Sequence, residues 1–152
     1  MGYDMTIRDD DGLSGEDSYF ALNMGGMTRV AHAMMEIGMM HDSPFPAKSE
    51  WPDYVDTGDS EADEAAHEAA LAPLRARHDT DNPTIPAHKF GSNDGWIVTP
   101  SEINSALAWW DGYDDFAPPL SKATAEIVAK DYWQRWIAFL RRAAEHNGFS
   151  VY

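Results

Sequence analysis

The stretch from Ala125 to Ala144 constrains the fold more than any other. Ala125, Val128, Ala129, Tyr132, Trp133, Trp136, Ile137, Leu140 and Ala144 recur at helical spacing. The pattern predicts one helix over 121–146, roughly 39 Å long at 1.5 Å per residue. So wide an apolar stripe cannot face water, which places the helix at the centre of the core. Asn147-Gly148-Phe149 predicts a Schellman stop with Gly148 left-handed, and 149–152 a closing strand.

That helix needs a layer to pack on. Tyr3, Met5 and Ile7 alternate with Asp4 and Thr6, a strand pattern over 2–8 that Asp9 to Gly12 ends. Tyr19 to Asn23 reads as a short extended piece broken by Gly25 and Gly26. Met27, Val30, Ala31, Met34 and Ile37 then predict a helix closed by Gly38. Pro44, Pro46 and Pro52 make 41–57 an irregular surface segment. An Ala-rich helix is expected over 60–78, capped by Ser60. Asp63 and Glu64 come early in it and Arg75, Arg77 and His78 late, as the helix dipole favours. Pro73 is expected to kink that helix or end it early.

Residues 85–90 and 96–99 are two apolar-rich runs separated by Gly91-Ser92-Asn93-Asp94-Gly95, which predicts a β-hairpin. Thr99-Pro100-Ser101-Glu102 then carries a cap, a proline at the first helical position and a capping box. The helix it starts buries Ile103, Ala106, Leu107 and Trp110 and ends at Gly112. Too few βαβ units appear for a doubly wound sheet. The order predicts a single α+β domain over 1–152. Its sheet is small and mostly antiparallel, packed on one face by about four helices with the long C-terminal helix central.

Composition narrows the function. With no cysteine there is neither a disulfide framework nor a thiolate metal site, which fits a cytoplasmic location. Apolar runs are too short for a membrane span, and residues 1–12 lack a signal peptide's basic flank and apolar region. Gly2 with Thr6 has myristoylation spacing, but no basic patch supports stable anchoring. Acids outnumber bases 26 to 11, a formal charge of −15. Such a field repels nucleic acid backbones and anionic membranes, and suits either simple solubility or a basic protein partner.

Dense catalytic motifs are missing. Glu64 with His67, and His32 with Glu36, have helical ligand spacing but no matching second set, so no metal or other cofactor is expected. A Ser92–His88 pair lacks a third member and an oxyanion hole. The loop after His88 and Lys89 combines Ser92 and Asn93 with Trp96, and its amides suit a small anion nest. Trp109, flanking the Trp110 stripe, is placed to wall a groove with Tyr113 and Phe116.

The segments MGYDM, YFALNMGGM, IPAHKFGSNDGWIVTP and WIAFLRRAAEHNGFSVY resemble a family of uncharacterised proteins of actinobacteria and their phages. The central HKFGSNDGW block is the most specific, and 50–82 carries none of the likeness. The resemblance implies a bacterial or phage cytoplasmic origin and brings no activity with it.

These features lead first to a non-catalytic binding protein with His88, Lys89, Ser92, Asn93, Trp96 and Trp109 around a small polar ligand. A nucleotide fits, and a phage gene of this kind would sequester a nucleotide signal of host defence. The alternative is an acidic protein–protein inhibitor or DNA mimic using Asp53, Asp56, Asp59, Glu61, Asp63 and Glu64. A small enzyme ranks below both.

Overall fold

The computed structural model describes residues 2–113 and 118–152. Strand β1 (Gly2–Ile7) leads through a loop to β2 (Tyr19–Asn23). Helix α1 (Met24–Ile37) follows β2 directly. Asn23 caps it through Gly26 N–H, so Gly25 and Gly26 lie inside its first turn rather than before it. Gly38 ends α1 with φ +100°, its N–H donating to the Met34 and Met35 carbonyls. A two-residue strand β3 (Met40–His41) comes next.

Helix α2 (Ser60–Ala76) is capped by Asp59, one residue earlier than expected. It runs through Pro73 and stops three residues later. Strand β4 (Ile85–Pro86) pairs in parallel with β3, and 87–90 form a short 3₁₀ turn. Strand β5 (Trp96–Val98) joins the main sheet. The expected hairpin is therefore absent: the two runs belong to different sheets. Pro86 has no N–H to give, and β3 and β6 supply the partners.

Helix α3 (Pro100–Asp111) starts at the complete Thr99–Glu102 capping box. The single long C-terminal helix is instead two helices, α4 (Lys122–Val128) and α5 (Asp131–Glu145). Lys130 is extended between them, and Asp131 gives α5 an acidic first turn. Glu36 on α1 accepts from Ser121 N–H and from the Ser121 and Thr124 hydroxyls, tying α1 to the start of α4. Strand β6 (Phe149–Val151) closes the fold after Gly148, which is left-handed as expected, but its own N–H makes the bond to the Ala143 carbonyl five residues back that a Schellman stop takes from the residue after the left-handed one.

The main sheet has the order β2-β1-β6-β5, antiparallel throughout. The pleat turns Met5, Ile7, Trp96, Val98, Phe149 and Val151 into one core with α1, α3 and α5. Trp133 and Trp136 are fully buried in that core, as the stripe predicts. Ile97 points the other way and is buried too. Helix α2 packs on β5, and its Leu71 and Leu74, like Ile97, lie outside the main cluster. The helices are thus not all on one face. No helix of the described residues is long and apolar enough to cross a membrane.

Candidate functional site

The residues expected to form the loop site are mostly engaged inside the protein. Lys89 is fully buried. Its ammonium donates to the Ile97 carbonyl at 2.6 Å and to both oxygens of Glu102 at 2.8 and 3.0 Å, which uses all three donors. Burial pulls its pKa below the ordinary lysine range, and the Glu102 carboxylate offsets part of that. Trp96 is also fully buried, with its indole N–H on the Ser92 hydroxyl at 2.8 Å. Ser92 in turn donates to Asp94, and the Asn93 amide donates to the Gly2 carbonyl at 2.8 Å. The block around 88–96 ties β5 to β1 and α3, and offers no free cation.

His88 does pair with a serine, but the partner is Ser43. Ser43 Oγ lies 2.8 Å from His88 Nδ1 and accepts the His88 backbone N–H at 3.1 Å. The imidazole packs edge-on against Trp96 and beside Phe45. Burial first, then Lys89, Arg77 and His41, push its pKa down to about 4. Among the described residues the ring's hydrogen-bond partner is Ser43, and no carboxylate orients it as a nucleophile's base requires. Trp109 lines a different cleft with Ile37, Pro83 and Tyr113 and stacks over Gly38. Phe116 lies outside the described residues. Among the described residues, no group of three or more His, Asp or Glu side chains is placed to hold a metal.

The structure instead assembles a cleft that none of those residues enters. It has a volume of about 670 Å³ and lies between β2, the start of α1 and one face of α5. All five β2 residues line one wall. Tyr132, Arg135, Ala138 and Arg142 line the other, at spacings of three, three and four that keep them on one helical face. Asn23, Gly26 and Arg29 close one end at the α1 N-terminus, and Glu16 and Asp17 also reach the rim.

Three arginines therefore converge on a protein of charge −15. Arg29 is exposed and pairs with no carboxylate among the described residues. Arg142 gives its Nε–H to the Asp17 carbonyl at 3.0 Å, and Arg135 makes an exposed pair with Asp131. Such surface pairs are worth little and exchange readily for a better anion. Arg75, Arg77 and Arg141 pair with Glu68, Glu50 and Asp111 elsewhere. Sequence reasoning missed this cleft. The seven-residue spacing of Arg135 and Arg142 was the available signal, but nothing marks β2 as the strand beside them. No protein-family model, curated protein or solved structure matches the chain.

Proposed function

We propose that the chain is a non-catalytic binding protein that holds an anionic ligand in the cleft between β2, α1 and α5. The observation that carries this reading is the convergence of Arg29, Arg135 and Arg142 on an otherwise acidic molecule. Two features add to it. The first turn of α1 holds no acidic residue, so the positive end of that helix is not neutralised from within. Tyr19, Phe20 and Tyr132 give the cleft aromatic walls beside its charges. Glu16 and Asp17 offset two of the three arginines and Asp131 pairs with Arg135, which suits a ligand of modest charge better than a nucleic acid backbone. Nucleotides and acidic peptides both belong to that class.

The test is a thermal-shift titration of the wild type and of Arg29→Gln/Arg142→Gln with nucleoside phosphates and acidic peptides. A ligand at a hundred times its Kd stabilises by about 2.7 kcal/mol. Stabilisation of the wild type alone supports the cleft. Stabilisation by no anion, or equally of both proteins, places function elsewhere.

One observation favours a second reading, the acidic inhibitor. Tyr54 and Val55 are exposed between Asp53 and Asp56, an apolar pair inside an acidic frame. Part of that acidic set has local work, however. Asp56 accepts from Gly58 N–H, Asp59 caps α2, and buried Asp63 accepts from Thr57 N–H and its hydroxyl. Asp53, Glu61 and Glu64 remain for a basic partner. Binding through them would weaken steeply with salt and survive loss of the cleft arginines.

A further inference from the structure

We propose that the free edge of β2 is a docking site for an extended acidic peptide, which adds as a fifth strand to the sheet. The proposal rests on the cleft reading above and names the ligand's class and pose.

The strand register sets which backbone groups are free. Ile7 N–H donates to the Ser18 carbonyl at 2.8 Å. In an antiparallel ladder such pairs alternate, so Phe20 and Leu22 turn their backbone groups to Met5 and Tyr3. The N–H groups of Tyr19, Ala21 and Asn23 then point away from β1, and all three residues are exposed. β2 is the last strand in the sheet order, and no strand of the described residues pairs with that edge.

The opposite edge is treated differently. On β5 the Ile97 carbonyl takes the buried Lys89 ammonium, and the 87–90 turn that carries Lys89 packs against the strand. Edge strands are normally blunted by such covers, by prolines or by charged side chains on the strand. The β2 sequence Tyr-Phe-Ala-Leu-Asn has none of these. One edge is sealed, and the other faces a cleft.

The dimensions and charge select the occupant. Five residues at about 3.4 Å each give an edge of roughly 17 Å, which matches an extended segment of four to six residues. Alternate side chains of an added strand would turn toward the α5 wall, where Arg135 and Arg142 stand. Carboxylates at alternate positions suit that wall. A second copy of this chain suits it poorly. Each copy carries −15, and a symmetric pairing of two β2 edges would bring like arginines together.

The experiment screens the full chain against a displayed library of random octapeptides, then measures amide exchange with the recovered peptides. Recovered peptides should carry Asp or Glu at alternate positions. Binding should slow exchange at Tyr19, Ala21 and Asn23 at least tenfold, with Phe20 and Leu22 as internal controls. Ala21→Pro removes an outward N–H, none of those that bond β1, and should weaken binding at least tenfold, while Ala21→Val should not. Exchange data on the wild type decide the matter even if Ala21→Pro fails to fold. Peptides that bind through the arginines yet leave those three amides unprotected would overturn strand addition and leave the cleft reading standing. Recovery of no peptide would also overturn it. So would protection that grows with protein concentration alone, since the occupant would then be a second copy.

Discussion

Lys89 Nζ and Glu102 Oε1 lie 2.8 Å apart in the interior, and neither side chain reaches solvent. The pair joins three elements. Lys89 also holds the Ile97 carbonyl on the sealed sheet edge, and Glu102 also accepts the Thr99 N–H that starts α3. Breaking a buried pair from one side leaves an uncompensated charge and costs about 3–5 kcal/mol. Lys89→Met should therefore destabilise by that amount in urea unfolding. Adding Glu102→Gln, which removes the orphaned charge, should recover part of the loss. A Lys89→Met protein as stable as the wild type would show that the pair contributes nothing.

Trp136 is the aromatic hub of the core, with its ring centroid 5.4 to 6.0 Å from Phe20, Phe90, Phe139 and Phe149. Trp136→Ala should cost about 3–5 kcal/mol, the usual range for emptying a buried aromatic site. Its indole N–H is buried and has no partner among the described residues. Trp136→Phe gives up no hydrogen bond and should cost less than half as much. Thermal melts of the two variants check this, and equal losses would mean that the indole nitrogen has a partner in solution.

Gly148 turns the chain from α5 into β6 with φ +74°. A Cβ there would collide with the Val98 carbonyl oxygen and approach Pro100. Neither contact can yield without moving β5 or the start of α3. Gly148→Ala should therefore cost more than about 2 kcal/mol, beyond the 1–2 kcal/mol of a left-handed non-glycine residue alone. Gly12, also at positive φ but with nothing near its missing Cβ, is the control. Gly12→Ala should cost only the conformational part.

Gly148 also shows what was legible in the sequence. Signals confined to one turn were readable: the Thr99–Glu102 box, the Gly38 and Gly148 stops, and the alternation of β1. Choices made between distant segments were not. Residues 85–90 and 96–99 flank a glycine-bounded loop as a hairpin would, yet the partners of β4 and β5 come from residues 40–41 and 149–151. The apolar stripe over 125–144 hid the break at Lys130: Val128 packs inward, but Ala125 and Ala129 are exposed, with Thr124 and Ile127 turned to the core instead, and no glycine or proline marks the joint. The cleft was hidden for the same reason. Arg29 and Arg142 are 113 positions apart, and only the strand order brings them to one rim.

His88 makes the fold sensitive to pH in a defined window. Its ring packs on Trp96 with centroids 4.9 Å apart, its Nδ1 faces the Ser43 hydroxyl, and the Lys89 and Arg77 cations disfavour a charge on it. Burial and those cations lower its pKa from 6.5 to about 4. The unfolded chain therefore takes up a proton that the folded chain refuses between those values. By linkage, the contribution of His88 is fully present above pH 6.5 and is lost as pH falls toward 4. The full difference would be worth about 3 kcal/mol, and partial exposure of the ring reduces this to about 1–2 kcal/mol. Glu36, Glu50, Asp63 and Asp111 are held below the ordinary carboxylate range by their hydrogen bonds, so their contributions fade at still lower pH and act alike in a His88 variant. Urea unfolding of the wild type and of His88→Gln at pH 7.5 and 4.5 isolates the effect. The wild type should lose about 1–2 kcal/mol more than the variant across that interval. Equal losses would mean that His88 accepts its proton in the folded state, and that the packing around Ser43 and Trp96 opens to let it do so.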